Sequence, residues 1–169
     1  MTRLYLLLGG NIGDKQKIFM EAREYLNNRV GKIQLQSAVY ETEPWGFESP
    51  DLFWNQALEI LTGLSPEEVL TNTQLIEQEL GRIRKENRFS SRLIDIDILF
   101  YGDQILNHSN LVIPHPRIQE RNFVLIPLCE IVPDLVHPVF LKSISQLLQE
   151  CNDQLRVERV SDLPENYNS

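Results

Sequence analysis

Residues 82 to 102 read RIRKENRFSSRLIDIDILFYG, and the second half of this stretch decides the fold. From Ile94 to Ile98 apolar residues alternate with Asp95 and Asp97, so a β-strand here puts Ile94, Ile96 and Ile98 on one face and both aspartates on the other. Gly102-Asp103 closes it as a turn. An apolar strand face needs a covering layer, and the segment before it predicts one. Ser65, Pro66 and Glu68 fit an N-cap, a first-turn proline and a capping box, after which Val69, Thr73, Ile76 and Leu80 recur at helical spacing until Gly81.

Working outward, residues 3 to 8 form an apolar run stopped by Gly9, Gly10 and Gly13, which reads as a buried strand and tight turn. Asp14 then opens a helix with Ile18, Ala22, Tyr25 and Leu26 on one stripe. Residues 33 to 42 alternate like a strand, and residues 52 to 62 hold another around Phe53, Trp54 and Ile60. The order β-α-β-β-α-β predicts a ferredoxin-like α+β sandwich, an antiparallel sheet with helices packed on one face and the other face open for a site. Residues 111 to 140 are apolar and punctuated by proline, with a short helix expected near Ile118 to Asn122; Ile144, Leu147 and Leu148 predict a terminal helix. With no repeat or low-complexity linker, residues 1–169 are read as one domain.

The chain has 16 Lys+Arg against 24 Asp+Glu, a net charge of −8, which argues against a surface built for duplex nucleic acid or anionic lipid. The charge is uneven. No basic residue lies between Lys32 and Arg82, whereas Arg82, Arg84, Lys85, Arg88 and Arg92 face only Glu86 within residues 82 to 92, a local charge of +4. An anion site fits inside that acidic background. No apolar run approaches the ~20 residues of a membrane span, so a soluble, unprocessed cytoplasmic protein is expected. Cys129 and Cys151 lack metal or redox spacing, and Cys129, within VLIPLCEIV, is read as a buried free thiol.

Two aspartates at i and i+2 of a strand address one or two hard cations, and Mg²⁺, which takes few carboxylates and shares its remaining positions with phosphate and water, suits them. The arginines upstream supply planar forks that match phosphate oxygens two at a time. Placed beside Asp95 and Asp97, they would neutralise the same phosphate chain from a second side. GGNIGD at 9 to 14 resembles a phosphate loop but fits neither G-x-G-x-x-G nor G-K-[ST]. His115 is held between two prolines in IPHPR, a rigid setting for a ligand contact, with Arg117 and Arg121 following; His108 and His137 are read as structural. Asn55 interrupts an apolar strand and needs partners if buried, while Phe53 and Phe123 default to core. A single-stranded nucleic-acid binder using Arg82 to Arg92 with Phe89, and a non-catalytic nucleotide-binding module, stand as rival classes.

Taken together, LGGNIGD (8 to 14), VYETEPWG (39 to 46), Phe53 to Asn55, LGRIRKENRFSSRLIDIDILFYG (80 to 102) and IPHPRIQERNFVLIPLCEIVP (113 to 133) resemble the 6-hydroxymethyl-7,8-dihydropterin pyrophosphokinases of folate biosynthesis. The resemblance implies a ferredoxin-like α+β fold and transfer of the β,γ-diphosphate of ATP to the pterin's hydroxymethyl oxygen, with AMP released. It implies two Mg²⁺ on Asp95 and Asp97, and action of Arg82 and Arg92 on the phosphates. Arg84, Phe89, Ile98, His115 and Arg121 would lie on the ATP side, bordered by Gln74 and Glu77. Phe53 and Phe123 would stack on the two pterin faces, with Thr42, Pro44, Trp45 and Asn55 along its hydrogen-bonding edge. The implied partners are ATP and the pterin, with no nucleic acid, no membrane and a monomeric chain. Loops 43 to 52 and 82 to 92 are polar and flank this site, so closure over ATP is expected. Against the family pattern, Gly10 stands where serine is common, Phe89 where tryptophan is frequent, and Asn110 and Val112 replace nucleotide-contacting side chains.

Overall fold

The computed structural model describes residues 1–43, 52–82, 93–164 and 167. Its main elements run in the order β1 (Thr2–Gly10), α1 (Lys15–Arg29), β2 (Lys32–Gln36), β3 (Tyr40–Thr42), β4 (Phe53–Thr62), α2 (Pro66–Arg82), β5 (Asp95–Tyr101), β6 (Leu106–Asn107), β7 (Val112–Ile113), α3 (Asn122–Ile131), α4 (Ile144–Glu150) and β8 (Val157–Arg159). The main sheet is ordered β5-β1-β4-β3-β8, with β2 also paired to β4 and every described pairing antiparallel. With β2 and β3 counted as one interrupted strand, this is the ferredoxin-like order expected from the sequence.

The central strand β1 is apolar on both sides because both sides are covered. Leu4, Leu6 and Leu8 pack in one cluster with Ile18, Phe19, Ala22 and Leu26 of α1 and Val69, Ile76 and Leu80 of α2. Tyr5 and Leu7 belong to a second cluster with Val124, Leu125 and Leu128 of α3 and Ile144 and Leu147 of α4. The second face is therefore not left open, as the sequence reading had it: α3 and α4 cover its lower part, and only its upper end is free to form a site. Helix α3 escapes local pattern reading because Pro127 lies inside it, although the helix runs through to Ile131. Only the preceding turn, Ile118–Glu120, is 3₁₀.

Three other expectations need adjustment. The strand expected over 33 to 42 breaks at Ser37, whose hydroxyl accepts the Ala57 N–H at 2.9 Å and donates to the Ala38 carbonyl at 2.7 Å, a local side-chain bond that interrupts the ladder. β1 runs on through Gly9 and ends only at Gly10. Cys129 is half-buried, its sulfur 3.7 Å from the Ser145 hydroxyl. Caps set the helix starts: Asp14 accepts from the Lys17 N–H, Ser65 and Glu68 bond reciprocally, and Ser143 and Gln146 do the same at α4. Such caps contribute about 1 kcal/mol each.

β5 carries a bulge. Tyr5 pairs with Phe100 but Leu6 with Ile98, so one extra residue lies on β5 between them. Leu99 and Phe100 consequently both join the α3/α4 cluster, while Ile96 and Ile98 stay in the α1/α2 cluster. Above the bulge the alternation is uninterrupted, and Asp95 and Asp97 share the α3 side of the sheet.

Candidate active site

The register of three strands builds the floor of a cavity. Gly9 of β1 lies opposite Asn55 of β4 on one side and Asp95 of β5 on the other, and Leu7 lies opposite Asp97. Gly9 lets the Asn55 side chain lie close, since a Cβ there would be 3.3 Å from the Asn55 Oδ1, and the amide would have to shift by a few tenths of an ångström. On the far side of β4, β3 sets Thr42 opposite Phe53. These residues, with Glu43, form the floor and one wall of a cavity of about 630 Å³; Arg117, Glu120, Arg121 and Phe123 form the second wall, and Asp153 and Leu155 a third.

The cavity has a flat-ring end and a charged end. Phe53 and Phe123 are both half-buried pocket residues, near an Asn55 that is 5 % exposed and a Thr42 that is 4 % exposed. Among the described residues the Asn55 side-chain amide makes no hydrogen bond, which leaves donors and an acceptor for a ligand. At the other end Asp95 and Asp97 face Arg117 and Arg121 across the pocket lining. The Arg121 guanidinium lies over the Phe123 ring, 5.4 Å from its centroid, so the two ends meet at that pair.

His115 is fixed by two backbone bonds: its N–H donates to the Leu99 carbonyl at 3.0 Å, and its Nδ1 accepts the Arg117 N–H at 3.2 Å. The neutral ring therefore carries its proton on Nε2. Burial pushes the His115 pKa below the ordinary histidine value, and Arg121 and Arg117 push the same way against the opposing pull of Asp97. A neutral imidazole with Nε2–H is a hydrogen-bond donor that adds no charge.

Among the described lining residues five carboxylates, Glu43, Asp95, Asp97, Glu120 and Asp153, outnumber two guanidiniums. A polyphosphate entering such a lining needs more positive charge than Arg117 and Arg121 supply. Asp95 and Asp97 could offer two carboxylates to a hard cation such as Mg²⁺, and among the described residues no group of three His, Cys, Asp or Glu side chains could hold a metal. Two carboxylates without a third protein ligand fit an ion that completes its shell with phosphate and water, and do not fit a closed calcium cage.

The structure gathers Thr42, Phe53, Asn55, Asp95, Asp97, Arg121 and Phe123 at one cavity, with His115 close enough to feel Asp97. It does not bring Gln74, Glu77 or Ile98 to that lining. Gln74 is exposed and Glu77 half-buried on α2, and the Ile98 side chain is 6 % exposed in the opposite core, where β5 as an edge strand borders both layers. Arg82 is the last residue of α2. Pro44, Trp45, Arg84, Phe89 and Arg92, and with them most of both loops expected to close, lie outside the described residues. Leu7, Glu43, Glu120, Asp153 and Leu155 also line the cavity, although nothing in their local sequence marks them, and Arg117 was visible only as the last letter of PHPR.

Residues 5–133 match the family model described as 7,8-dihydro-6-hydroxymethylpterin-pyrophosphokinase. The 2-amino-4-hydroxy-6-hydroxymethyldihydropteridine pyrophosphokinase of Porphyromonas gingivalis is 44% identical over 141 residues, 82% of this chain and 95% of that protein. The protein of the same name from Aquifex aeolicus is 37% identical over 150 residues, 89% of this chain and 92% of its own. The folic acid synthesis protein fol1 of Pneumocystis carinii is 41% identical over 150 residues, 89% of this chain, and this chain spans only 20% of its length. In the crystal structure of wild-type Plasmodium falciparum HPPK-DHPS the same fold recurs with a TM-score of 0.73 at 17% identity, over 88% of this chain and 44% of that one. The chain thus spans nearly all of the two bacterial relatives and under half of the two longer eukaryotic proteins.

Proposed function

Because the chain belongs to the 7,8-dihydro-6-hydroxymethylpterin-pyrophosphokinase family and carries the pyrophosphokinase step of folate biosynthesis, we propose that it performs this step in the cavity between Asp97, Asn55 and Phe123. The pterin lies at the aromatic end, stacked between Phe53 and Phe123, with Asn55 and Thr42 on its hydrogen-bonding edge. A flat neutral heterocycle needs two apolar faces and a few amide partners, and no charged group. ATP enters at the carboxylate end, with its polyphosphate directed to Asp95 and Asp97. The observation that supports this reading is the sharing of one cavity by a buried amide with no hydrogen bond among the described residues, two half-buried phenylalanines and a same-face aspartate pair.

In the reaction the pterin's hydroxymethyl oxygen forms a bond to the β-phosphorus of ATP, the bond from that phosphorus to the bridging oxygen of AMP breaks, and the alcohol proton is released. Arg121 holds phosphate oxygens through its planar fork, and the His115 Nε2–H donates to them without adding charge. By the family resemblance Arg82, Arg84 and Arg92 are assigned to the phosphates, where they would add the positive charge that the acidic lining lacks, Phe89 is assigned to ATP, and Pro44 and Trp45 are assigned to the pterin. Gln74, Glu77 and Ile98 approach the nucleotide only around the β5 edge. Asp95 and Asp97 would hold two Mg²⁺ ions, which would supply neutralisation of phosphate charge and a lowered pKa for the alcohol. Most of the rate enhancement then comes from positioning and charge neutralisation.

The proposal includes a monomer acting in the cytoplasm on these two small substrates, with no nucleic-acid or membrane partner. No described helix is long and apolar enough to cross a membrane. The test is Asp97→Asn. It should lower turnover by about 100-fold or more, the scale of losing a charge-stabilising group, while pterin affinity stays within about threefold. Retained turnover would refute the assignment of Asp97.

A further inference from the structure

The family match ends at residue 133, yet the cavity continues beyond it, because Asp153 and Leu155 form its third wall. That wall is bonded to the root of the aromatic one. The Asp153 Oδ2 accepts the Asn122 N–H at 2.9 Å, its backbone carbonyl accepts the Asn122 side-chain amide at 2.8 Å, and its Oδ1 accepts the Leu155 N–H at 3.0 Å. Asn122 directly precedes Phe123. Two residues after Leu155 the chain enters β8, where Val157 lies opposite Thr42 of β3, and Val160 then donates its N–H to the Val39 carbonyl at 2.9 Å. Asp153 to Val160 thus touches both the Phe123 and the Thr42 sides of the pocket.

So short an edge strand, half to fully exposed, is held weakly by its own pairing. Its far anchor is Tyr167, which is 1 % exposed. The Tyr167 carbonyl accepts from Arg23 Nη2 at 2.6 Å, and the Arg23 guanidinium carbon lies 4.3 Å from the centroid of the Tyr167 ring. Arg23 is itself buried and donates to Gln56 Oε1 at 2.9 Å, while Gln56 donates to the Ser37 carbonyl at 2.8 Å, tying the anchor to α1, β4 and the β2–β3 break. Among the described residues no group lies within hydrogen-bonding distance of the Tyr167 hydroxyl, and Arg23 only opposes the upward push that burial gives its pKa, so ring and backbone make most of the latch.

We propose that residues 153 to 160 complete the pterin pocket of this chain, that Leu155 contacts the substrate, and that Tyr167 is a positioning residue that latches this wall through Arg23. The proposal rests on the pterin lying between Phe53 and Phe123. In the full-length chain, Tyr167→Ala should weaken pterin binding by about tenfold, leave adenine-nucleotide binding within about twofold and speed amide exchange over residues 155 to 160. Tyr167→Phe should stay close to the parent, because the hydroxyl has no partner within hydrogen-bonding distance among the described residues. Leu155→Ala should weaken pterin binding several-fold, roughly the loss of one apolar contact, with exchange near Tyr167 unchanged. A Tyr167→Ala protein that loses thermal stability but keeps its pterin affinity would overturn the proposal, as would equal defects in Tyr167→Ala and Tyr167→Phe. If Tyr167→Ala does not fold, unchanged pterin binding by Leu155→Ala overturns it. Failure of the underlying pterin reading is separate: it would appear as unchanged pterin binding in Asn55→Ala and Phe123→Ala.

Discussion

Arg121 lies over the ring of Phe123, its guanidinium carbon 5.4 Å from the ring centroid, so one side chain of each substrate end is in contact with the other. Such a contact is worth about 0.5–2 kcal/mol depending on desolvation, and the planar fork that makes it also matches phosphate geometry. Arg121→Lys keeps the charge and loses both the plane and the fork. Steady-state kinetics with each substrate varied should show kcat/KM for ATP lowered by about tenfold, with a smaller change for pterin. Phe123→Ala should reverse that order.

Asn55 is buried on the pocket floor with its amide unused by the described protein. Asn55→Leu fills nearly the same volume and removes a buried polar group, so the melting temperature should hold or rise. The pterin's edge then meets a methyl group, and kcat/KM for pterin should fall by about 100-fold or more, the penalty of an unpaired polar edge. A variant both less stable and fully active would show that the amide serves the fold.

Gly10 has no room for a side chain: a Cβ there would lie 2.6 Å from the backbone carbonyl oxygen of Leu93, two residues before Asp95. Backbone must move to admit it. Gly10→Ala should destabilise the chain by about 1–3 kcal/mol, the usual cost of overpacking, measurable by chemical denaturation. It should also lower kcat through the displaced aspartates.

His137 gives a pH prediction. It is 3 % exposed, packs against Phe100 and Phe140, and its Nδ1 accepts the N–H groups of Val139 and Phe140 at 3.2 Å each. Burial lowers its pKa, so the unfolded chain takes up a proton at higher pH than the folded one. The stability due to neutral His137 is fully present above the unfolded value of about 6.5 and is lost as pH falls from there toward the depressed folded value. His115 shifts in the same direction, so the informative quantity is the difference between the parent and His137→Gln. Unfolding free energy should fall less steeply below about pH 6.5 in the variant.

The legible parts of this molecule were those written in local periodicity. Ile94, Ile96 and Ile98 against Asp95 and Asp97 announced a two-faced strand, and Ser65 with Glu68 announced the start of α2. Phe53 and Phe123 looked like core from their own neighbourhoods, and only the family resemblance made them a pair. The bulge at Leu99 and Phe100 was invisible because both residues are apolar and the pattern does not say which face each takes. Asp153 and Leu155 were illegible for another reason: their partner Asn122 is 31 residues from Asp153, and no spacing rule links two such loops.

The central claim is that a diphosphate, and not a single phosphate, moves to the pterin at this cavity. Incubating the protein with ATP, Mg²⁺ and 6-hydroxymethyl-7,8-dihydropterin and following the products by phosphorus NMR tests it directly. AMP and a pterin diphosphate should appear in equal amounts, at a rate lowered about 100-fold or more by Asp97→Asn. Formation of ADP with a pterin monophosphate, or no phosphorylated pterin at all, would contradict it.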